Sequence, residues 1–90
     1  MFYKDAGNLN EFVDSLNSWR KIWNKHPLDL ASAEDRQNLA DVLDGELSPE
    51  NLTCDGALPR GVVQNRYRRL TKICRELIKL DPGVKFYEFS

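Results

Sequence analysis

The longest regular pattern in this chain runs from Pro59 to Leu80, where apolar side chains recur at the spacing of an α-helix. Proline suits the first position of a helix, and the run Asp81-Pro82-Gly83 cannot continue one. Turning each residue by about 100° places one apolar face along this helix. The members of that face are Val63, Tyr67, Leu70, Cys74 and Leu77, with Ile73 and Ile78 on its flanks. Because such a face must be buried against other elements, the pattern favours a mostly α fold.

Charge divides unevenly between this helix and the segment before it. Residues 59–80 hold seven of the 13 Lys and Arg residues of the chain and a single acid, Glu76. Residues 29–55 hold eight acids and one base, Arg36. The net charge of the whole chain is −1, so no overall field attracts a nucleic acid or an acidic membrane. Any such attraction must come from a local surface.

An earlier helix is predicted over residues 9–25. Asn8 is a good N-cap, and Glu11, three residues later, completes a capping box. The residue before Pro27 is pushed out of the α region, which predicts the end of this helix. Its apolar positions are Leu9, Phe12, Val13, Leu16, Trp19 and Trp23.

Two further helices are predicted between these. Residues 33–44 form the longer one, with Ser32 as its N-cap and Gly45 as its C-terminal stop. Its apolar stripe consists of Leu39, Val42 and Leu43. Residues 48–50, Ser-Pro-Glu, start a helix that has room for only one or two turns.

The predicted architecture is therefore a single helical domain over residues 1–90. Three main helices and one short helix form a small bundle, because the loops between them are short. The two ends of the chain, Phe2-Tyr3-Lys4 and residues 84–89, are prone to β structure. They are expected to form a short β element or an extended segment packed on the helices.

Nothing in the sequence points to catalysis, to a cofactor or to a metal. No phosphate-binding glycine loop occurs, and no Cys lies beside a His. Two Cys and one His cannot form a zinc finger. The chain is therefore predicted not to be an enzyme and to need no cofactor.

The cysteines and the hydropathy pattern favour a cytoplasmic protein. Cys54 and Cys74 are too few for a disulfide scaffold, which indicates two free thiols in a reducing compartment. No apolar run approaches the roughly 20 residues that a membrane span needs. The N-terminal residues lack the apolar core of a signal peptide.

One basic row stands out as a candidate contact surface. Arg68, Lys72, Arg75 and Lys79 share a face of the long helix, away from its apolar face. Three interpretations stay open for this row: a solvated helix surface, a nucleic-acid contact, or a contact with acidic protein, including the acidic segment of the same chain. Arg66 is separate, because it lies at the edge of the apolar face. There its guanidinium must pair with an acid such as Asp41 or Asp44, contact a ligand or partner molecule, or reach solvent by extending its aliphatic stem over the apolar face.

Trp19 and Trp23 lie one turn apart on the apolar side of the first helix. They are interpreted as core residues, one of which stays partly exposed and anchors a partner.

These features predict a small regulatory protein that binds another macromolecule, with a protein preferred as the partner. The alternative is a nucleic-acid-binding regulator that uses the basic row. Residues 48–70 have the parts of a helix-turn-helix, but Arg66 occupies a position where that motif needs an apolar residue. A homodimer is also considered, in which the acidic segment of one molecule meets the basic helix of another.

Overall fold

The computed structural model describes residues 3–52 and 59–87 of the chain. Helices account for 71% of these residues, which confirms the mostly α prediction. The described residues form a 3-10 turn, Tyr3–Asp5, followed by four α-helices. These are α1 (Leu9–Ile22), α2 (Ala33–Glu46), α3 (Pro49–Leu52) and α4 (Arg60–Leu80). Three main helices and one short one are therefore present, as the sequence predicts.

The start of α1 is fixed by local side chains. The Asn8 Oδ1 atom accepts a hydrogen bond from the Glu11 backbone N–H at 2.9 Å, so the predicted N-cap is confirmed. The Glu11 carboxylate in turn accepts from the backbone N–H of Gly7 at 2.9 Å, one residue earlier than in a standard capping box. Both bonds satisfy donors that the helix itself cannot pair.

The predicted end of α1 at residue 25 is wrong, because the helix stops at Ile22. Asn24 adopts a left-handed backbone with φ of 57°. The Asn24 N–H bonds the Lys21 carbonyl at 3.1 Å, and the Lys25 N–H bonds the Arg20 carbonyl at 2.7 Å. This is a Schellman motif with asparagine in place of the usual glycine. The turn at Asn24 therefore ends the helix before the chain reaches Pro27.

The predicted stop of α2 at Gly45 is also wrong. Ser32 caps the helix as expected, since its hydroxyl accepts from the Asp35 N–H at 3.4 Å. Gly45 then continues the helix, which extends to Glu46. Leu47 follows as the C-cap with only 4% of its surface exposed, so the extra residues bring an apolar side chain into the core.

The core lies between α1, α2 and α4. Its largest fully buried side chains are Phe12, Leu39, Leu43, Leu70, Ile73, Leu77 and Cys74. The Tyr3 ring meets Phe12 edge to face, with centroids 5.6 Å apart, so the 3-10 turn closes one end of the core. The radius of gyration, 12.8 Å, is close to the value of about 12 Å expected for a compact chain of this length.

The β element expected at the chain ends is not found in the described residues. Tyr3–Asp5 is helical, and residues 84–86 have no regular secondary structure. Side chains of α2 occupy the backbone groups that a second strand would bond. Gln37 donates to the Lys85 carbonyl and accepts from the Lys85 N–H, both at 3.0 Å, and Asp44 accepts from the Tyr87 N–H at 2.8 Å. The C-terminal segment is thus bonded along α2.

The apolar face of α4 is fully buried only in its second half, while Val63 in the first half is partly buried and packs against the core. Leu70, Ile73, Cys74 and Leu77 are buried, as predicted. Tyr67 is 51% exposed and Ile78 is 37% exposed, so neither belongs to the core. The other elements pack mainly against the C-terminal half of α4, and residues 60–69 include no buried side chain.

Candidate macromolecule-binding surface

The four predicted cations form an exposed row on α4. Arg68, Lys72, Arg75 and Lys79 are all exposed, and the row extends about 16 Å at 1.5 Å per residue. The Lys72 Nζ atom donates to the Gly7 carbonyl at 3.2 Å, which leaves its charge without a counter-ion there. Within residues 3–52 and 59–87, the other three side chains make no hydrogen bond or ion pair. We call these four residues the basic row.

The only acid of α4, Glu76, forms no described ion pair with the basic row. The Glu76 Oε2 atom accepts a hydrogen bond from the Leu9 backbone N–H at 3.0 Å, at the start of α1. Arg69, on the same side of α4, pairs with Asp5 at 3.4 Å. Lys72 likewise bonds this N-terminal segment, at Gly7, while the other three members of the row are exposed without a described bond.

Two apolar side chains outside the row, Tyr67 and Val62, are also exposed on α4. Tyr67 immediately precedes Arg68, and Val62, one and a half turns earlier, is 38% exposed. The sequence placed Tyr67 on the core face because helical periodicity gives a direction and does not show how far the neighbouring elements extend. Tyr67 and Arg68 are adjacent in sequence and therefore point about 100° apart around α4, so the exposed tyrosine and the basic row occupy different faces of the helix.

Arg66 is not part of this exposed surface. Its side chain is partly buried, and it has interactions within the protein. The two acids suggested as its partner have other bonds: Asp41 accepts from Gln37 at 3.2 Å, and Asp44 accepts from the Tyr87 N–H. The proposed pairing of Arg66 with an acid of α2 stays a prediction.

The two tryptophans have different environments. Trp19 is partly buried and packs against the core, whereas Trp23 is 48% exposed. Their ring centroids are 6.0 Å apart, and the Lys25 Nζ atom lies 5.8 Å from the Trp23 ring centre. Ile22 is 69% exposed beside them. Its position off the Leu9–Phe12 stripe is the signal in the sequence that points to this exposure.

The Trp23 end of α1 is a separate surface from the basic row. Leu9 contacts α4 at Glu76, and Trp23 lies 14 residues further along the chain, about 21 Å of helix. The residues predicted to bind a partner therefore lie on two separate surfaces, the basic row on α4 and Trp23 at the C-terminal end of α1.

An open cleft of about 840 Å³ lies between α1, α4 and the segment before α2. Its apolar lining comes from Leu9, Leu30, Ala31 and Leu80. Three acids of α1 and α4, Glu11, Asp14 and Glu76, also line it. We call this feature the acidic cleft.

The pKa shifts of two side chains, Cys74 and Asp81, have causes in the structure. Burial raises the pKa of the Cys74 thiol to about 12, and the charge of Asp44 adds to this effect. Hydrogen bonds from Arg36 and from the Gly83 N–H lower the pKa of Asp81. Cys74 is a free thiol, while Cys54 lies outside the described residues.

No group of three or more His, Cys, Asp or Glu side chains in the described parts of the chain is arranged to hold a metal ion. No helix in those parts is both long enough and apolar enough to cross a membrane. Comparison with protein-family models, curated proteins and solved structures finds no match to this chain.

Proposed function

We propose that this chain is a small regulatory protein that acts by binding another protein through the exposed face of α4. The observation that carries the proposal is the exposure of Arg68, Arg75 and Lys79 without a described counter-ion, with Tyr67 51% exposed on a different face of the same helix. We also propose a cytoplasmic location, which the free Cys74 thiol supports.

The chemistry of this face suits an acidic protein partner. Arginine binds carboxylates through two parallel hydrogen bonds, and tyrosine contributes a large rigid contact area. Both residue types are enriched among the side chains that dominate binding energy. The net charge of −1 gives little long-range attraction, so recognition depends on the local row.

Affinity capture with matched variants tests this function. The row variant is Arg68→Glu with Arg75→Glu. The control variant, Arg60→Glu with Lys85→Glu, makes the same change of net charge at two exposed cations outside the row. We expect a protein that is captured from the native host by the wild-type chain and by the control, and is lost with the row variant.

Direct titration then follows with the captured protein in purified form. The row variant should bind at least tenfold more weakly than the control, because each exposed contact contributes little alone and two are reversed. Equal capture and equal affinity for both variants would show that α4 is not the docking surface.

A nucleic-acid contact is the second candidate function. The observation in its favour is the same exposed, unpaired set of cations, since an uncancelled positive face suits phosphates. Neutralising four phosphates of a duplex predicts a slope of about −3.6 for the logarithm of affinity against the logarithm of salt concentration. Fluorescein-labelled duplex DNA and single-stranded RNA are the probes. An unchanged anisotropy at low salt for both would eliminate this candidate.

A further inference from the structure

The C-terminal end of α1 presents an apolar patch with a basic rim. Ile22 is 69% exposed and Trp23 is 48% exposed, and we call these two residues the α1 patch. Lys21 and Lys25 are exposed beside them, and Arg20 is partly exposed. No acid occurs between Asp14 and Asp29 in the sequence, so the rim has only positive charges from its own segment.

The α1 patch is held in a fixed conformation. The left-handed Asn24 and its two Schellman bonds end the helix directly after Trp23. The Arg20 Nε atom donates to the His26 carbonyl at 2.9 Å, which ties the following loop back to the helix. Trp19 supports the Trp23 ring from the core side. Docking a fixed apolar group costs less ordering entropy than docking a mobile one.

The acidic cleft has the complementary properties. Its volume of about 840 Å³ is within the range in which proteins bury large apolar groups. Leu9, Leu30, Ala31 and Leu80 supply apolar lining, and Leu80 is 53% exposed there. Asp14 has an exposed side chain that takes part in no described bond, so its carboxylate is available to a cation.

We propose that the α1 patch of one copy docks into the acidic cleft of a second copy. Trp23 and Ile22 fill the apolar part of the cleft, and Lys21 and Lys25 meet the carboxylates of Glu11 and Asp14. The patch cannot fill its own cleft, because about 13 Å of the same helix separates Asp14 from Trp23. Two such contacts related by a two-fold axis close a dimer, and one contact per pair builds an open chain.

This contact uses α1 together with the rest of the cleft lining, including Glu76 and Leu80 of α4, and no member of the basic row lines the cleft. It therefore goes beyond the proposed partner binding. It also differs from a dimer in which an acidic segment meets the basic helix, because reversing charges of the row should not affect it.

Sedimentation velocity with two complementary variants tests the proposal. The patch variant, Ile22→Glu with Trp23→Ala, keeps the cleft. The cleft variant, Asp14→Lys with Ala31→Arg, keeps the patch, and both of its positions are exposed. We expect the wild-type chain to associate as its concentration rises and to dissociate as salt rises. Each variant alone should lose this association, and an equimolar mixture of the two should form a mixed dimer.

Two controls distinguish loss of the contact from unfolding and from an effect of the basic row. Circular dichroism checks that each variant keeps its helix content, and Asp14→Lys alone replaces the double cleft variant if that one unfolds. The row variant, Arg68→Glu with Arg75→Glu, should associate like the wild type. A wild-type chain that stays monomeric at every concentration overturns the proposal. A mixture that stays monomeric overturns it too, as does an association lost only in the row variant.

Discussion

The Glu76 Oε2 atom accepts a hydrogen bond from the backbone N–H of Leu9 at 3.0 Å, across 67 positions of the chain. Leu9 is the first residue of α1, so its N–H has no partner within that helix. The carboxylate also lies at the positive end of the α1 dipole. The one acid in the basic helix α4 therefore ties that helix to the start of α1, and it makes no described ion pair with the basic row.

Removing this carboxylate should destabilise the fold. Glu76→Ala is expected to lower the free energy of unfolding by about 1–2 kcal/mol, because it leaves a helix N–H without its charged acceptor. Glu76→Gln keeps an acceptor oxygen and should lower it by roughly half as much. Urea unfolding followed by circular dichroism measures both. Arg75→Ala, an exposed neighbour without a described bond, should change the value by less than about 0.5 kcal/mol. Equal losses for Glu76→Ala and Arg75→Ala would contradict this role.

The bonds between Gln37 and Lys85 should hold the C-terminal segment on α2. Gln37→Ala removes both, and a loss of about 1–2 kcal/mol in the free energy of unfolding is expected from two hydrogen bonds. Amide exchange at Lys85 should become faster, because its N–H loses its acceptor. Asn38→Ala, at an exposed position one residue away, is the control and should leave exchange at Lys85 unchanged. Unchanged exchange in Gln37→Ala would show that the segment is held by other contacts.

A second side-chain amide bonds both backbone groups of one residue in the segment between α1 and α2. The Asn17 side chain donates to the Leu28 carbonyl at 3.0 Å and accepts from the Leu28 N–H at 2.8 Å. Each primary amide satisfies both backbone groups of one residue in a segment without regular structure. Sequence patterns do not reveal such pairs, because the partners lie 11 and 48 positions apart and share no period. The expected β element failed for this reason, since side chains of α2 replaced a neighbouring strand.

Short sequence motifs correctly predicted the features that depend on neighbouring residues, namely where the helices begin. The caps at Asn8 and Ser32 and the start of α3 after Ser48 depend on residues within one turn, and the structure has all three. The basic row follows from spacing alone, and its members are exposed as expected. The prediction that Tyr67 belongs to the core was wrong, because its burial depends on how far the neighbouring elements extend along α4. Trp23 and Asn24 show a similar limit, since a left-handed asparagine ended α1 ahead of the proline signal.

The pair of Arg36 and Asp81 should give a pH-dependent contribution to stability. The hydrogen bond from Arg36 lowers the pKa of Asp81 below its ordinary value of 3.8. A carboxyl with a lowered pKa in the folded state stabilises the fold above its unfolded pKa, and this contribution is lost as pH falls through the folded pKa. The difference in urea midpoint between the wild type and Asp81→Asn should therefore be constant near neutral pH and shrink below 3.8. Asp14→Asn, an exposed carboxyl on α1, is the reference. A difference that stays constant down to strongly acidic pH would contradict the assignment.

The Cys74 thiol should be unreactive in the folded protein. Its side chain is fully buried, and burial raises its pKa to about 12, so almost no thiolate forms at mildly alkaline pH. A Cys54→Ser variant isolates this thiol for measurement with a coloured disulfide reagent. We expect no reaction in buffer beyond the rate of global unfolding, and complete reaction in denaturing urea. Rapid reaction in buffer would mean that α4 opens locally around Cys74.

The left-handed backbone of Asn24 should make this position selective for residue type. At φ of 57° the Cβ of any residue approaches the following carbonyl, but asparagine tolerates this backbone better than alanine because its short polar side chain can hydrogen-bond locally, so Asn24→Ala is expected to cost about 1 kcal/mol of unfolding free energy. Asn24→Gly relieves that strain and should be neutral or slightly stabilising, since glycine is the residue most often found at this point of a Schellman motif. Urea unfolding of the two variants gives the comparison, and Lys21→Ala, at an exposed position in the last turn of α1 whose side chain has no described bond, controls for loss of a polar side chain. Because the turn fixes Trp23, Asn24→Ala should also weaken any contact made by the α1 patch, whereas Asn24→Gly should preserve it. Equal stability of the alanine and glycine variants would mean that the helix does not end through this motif.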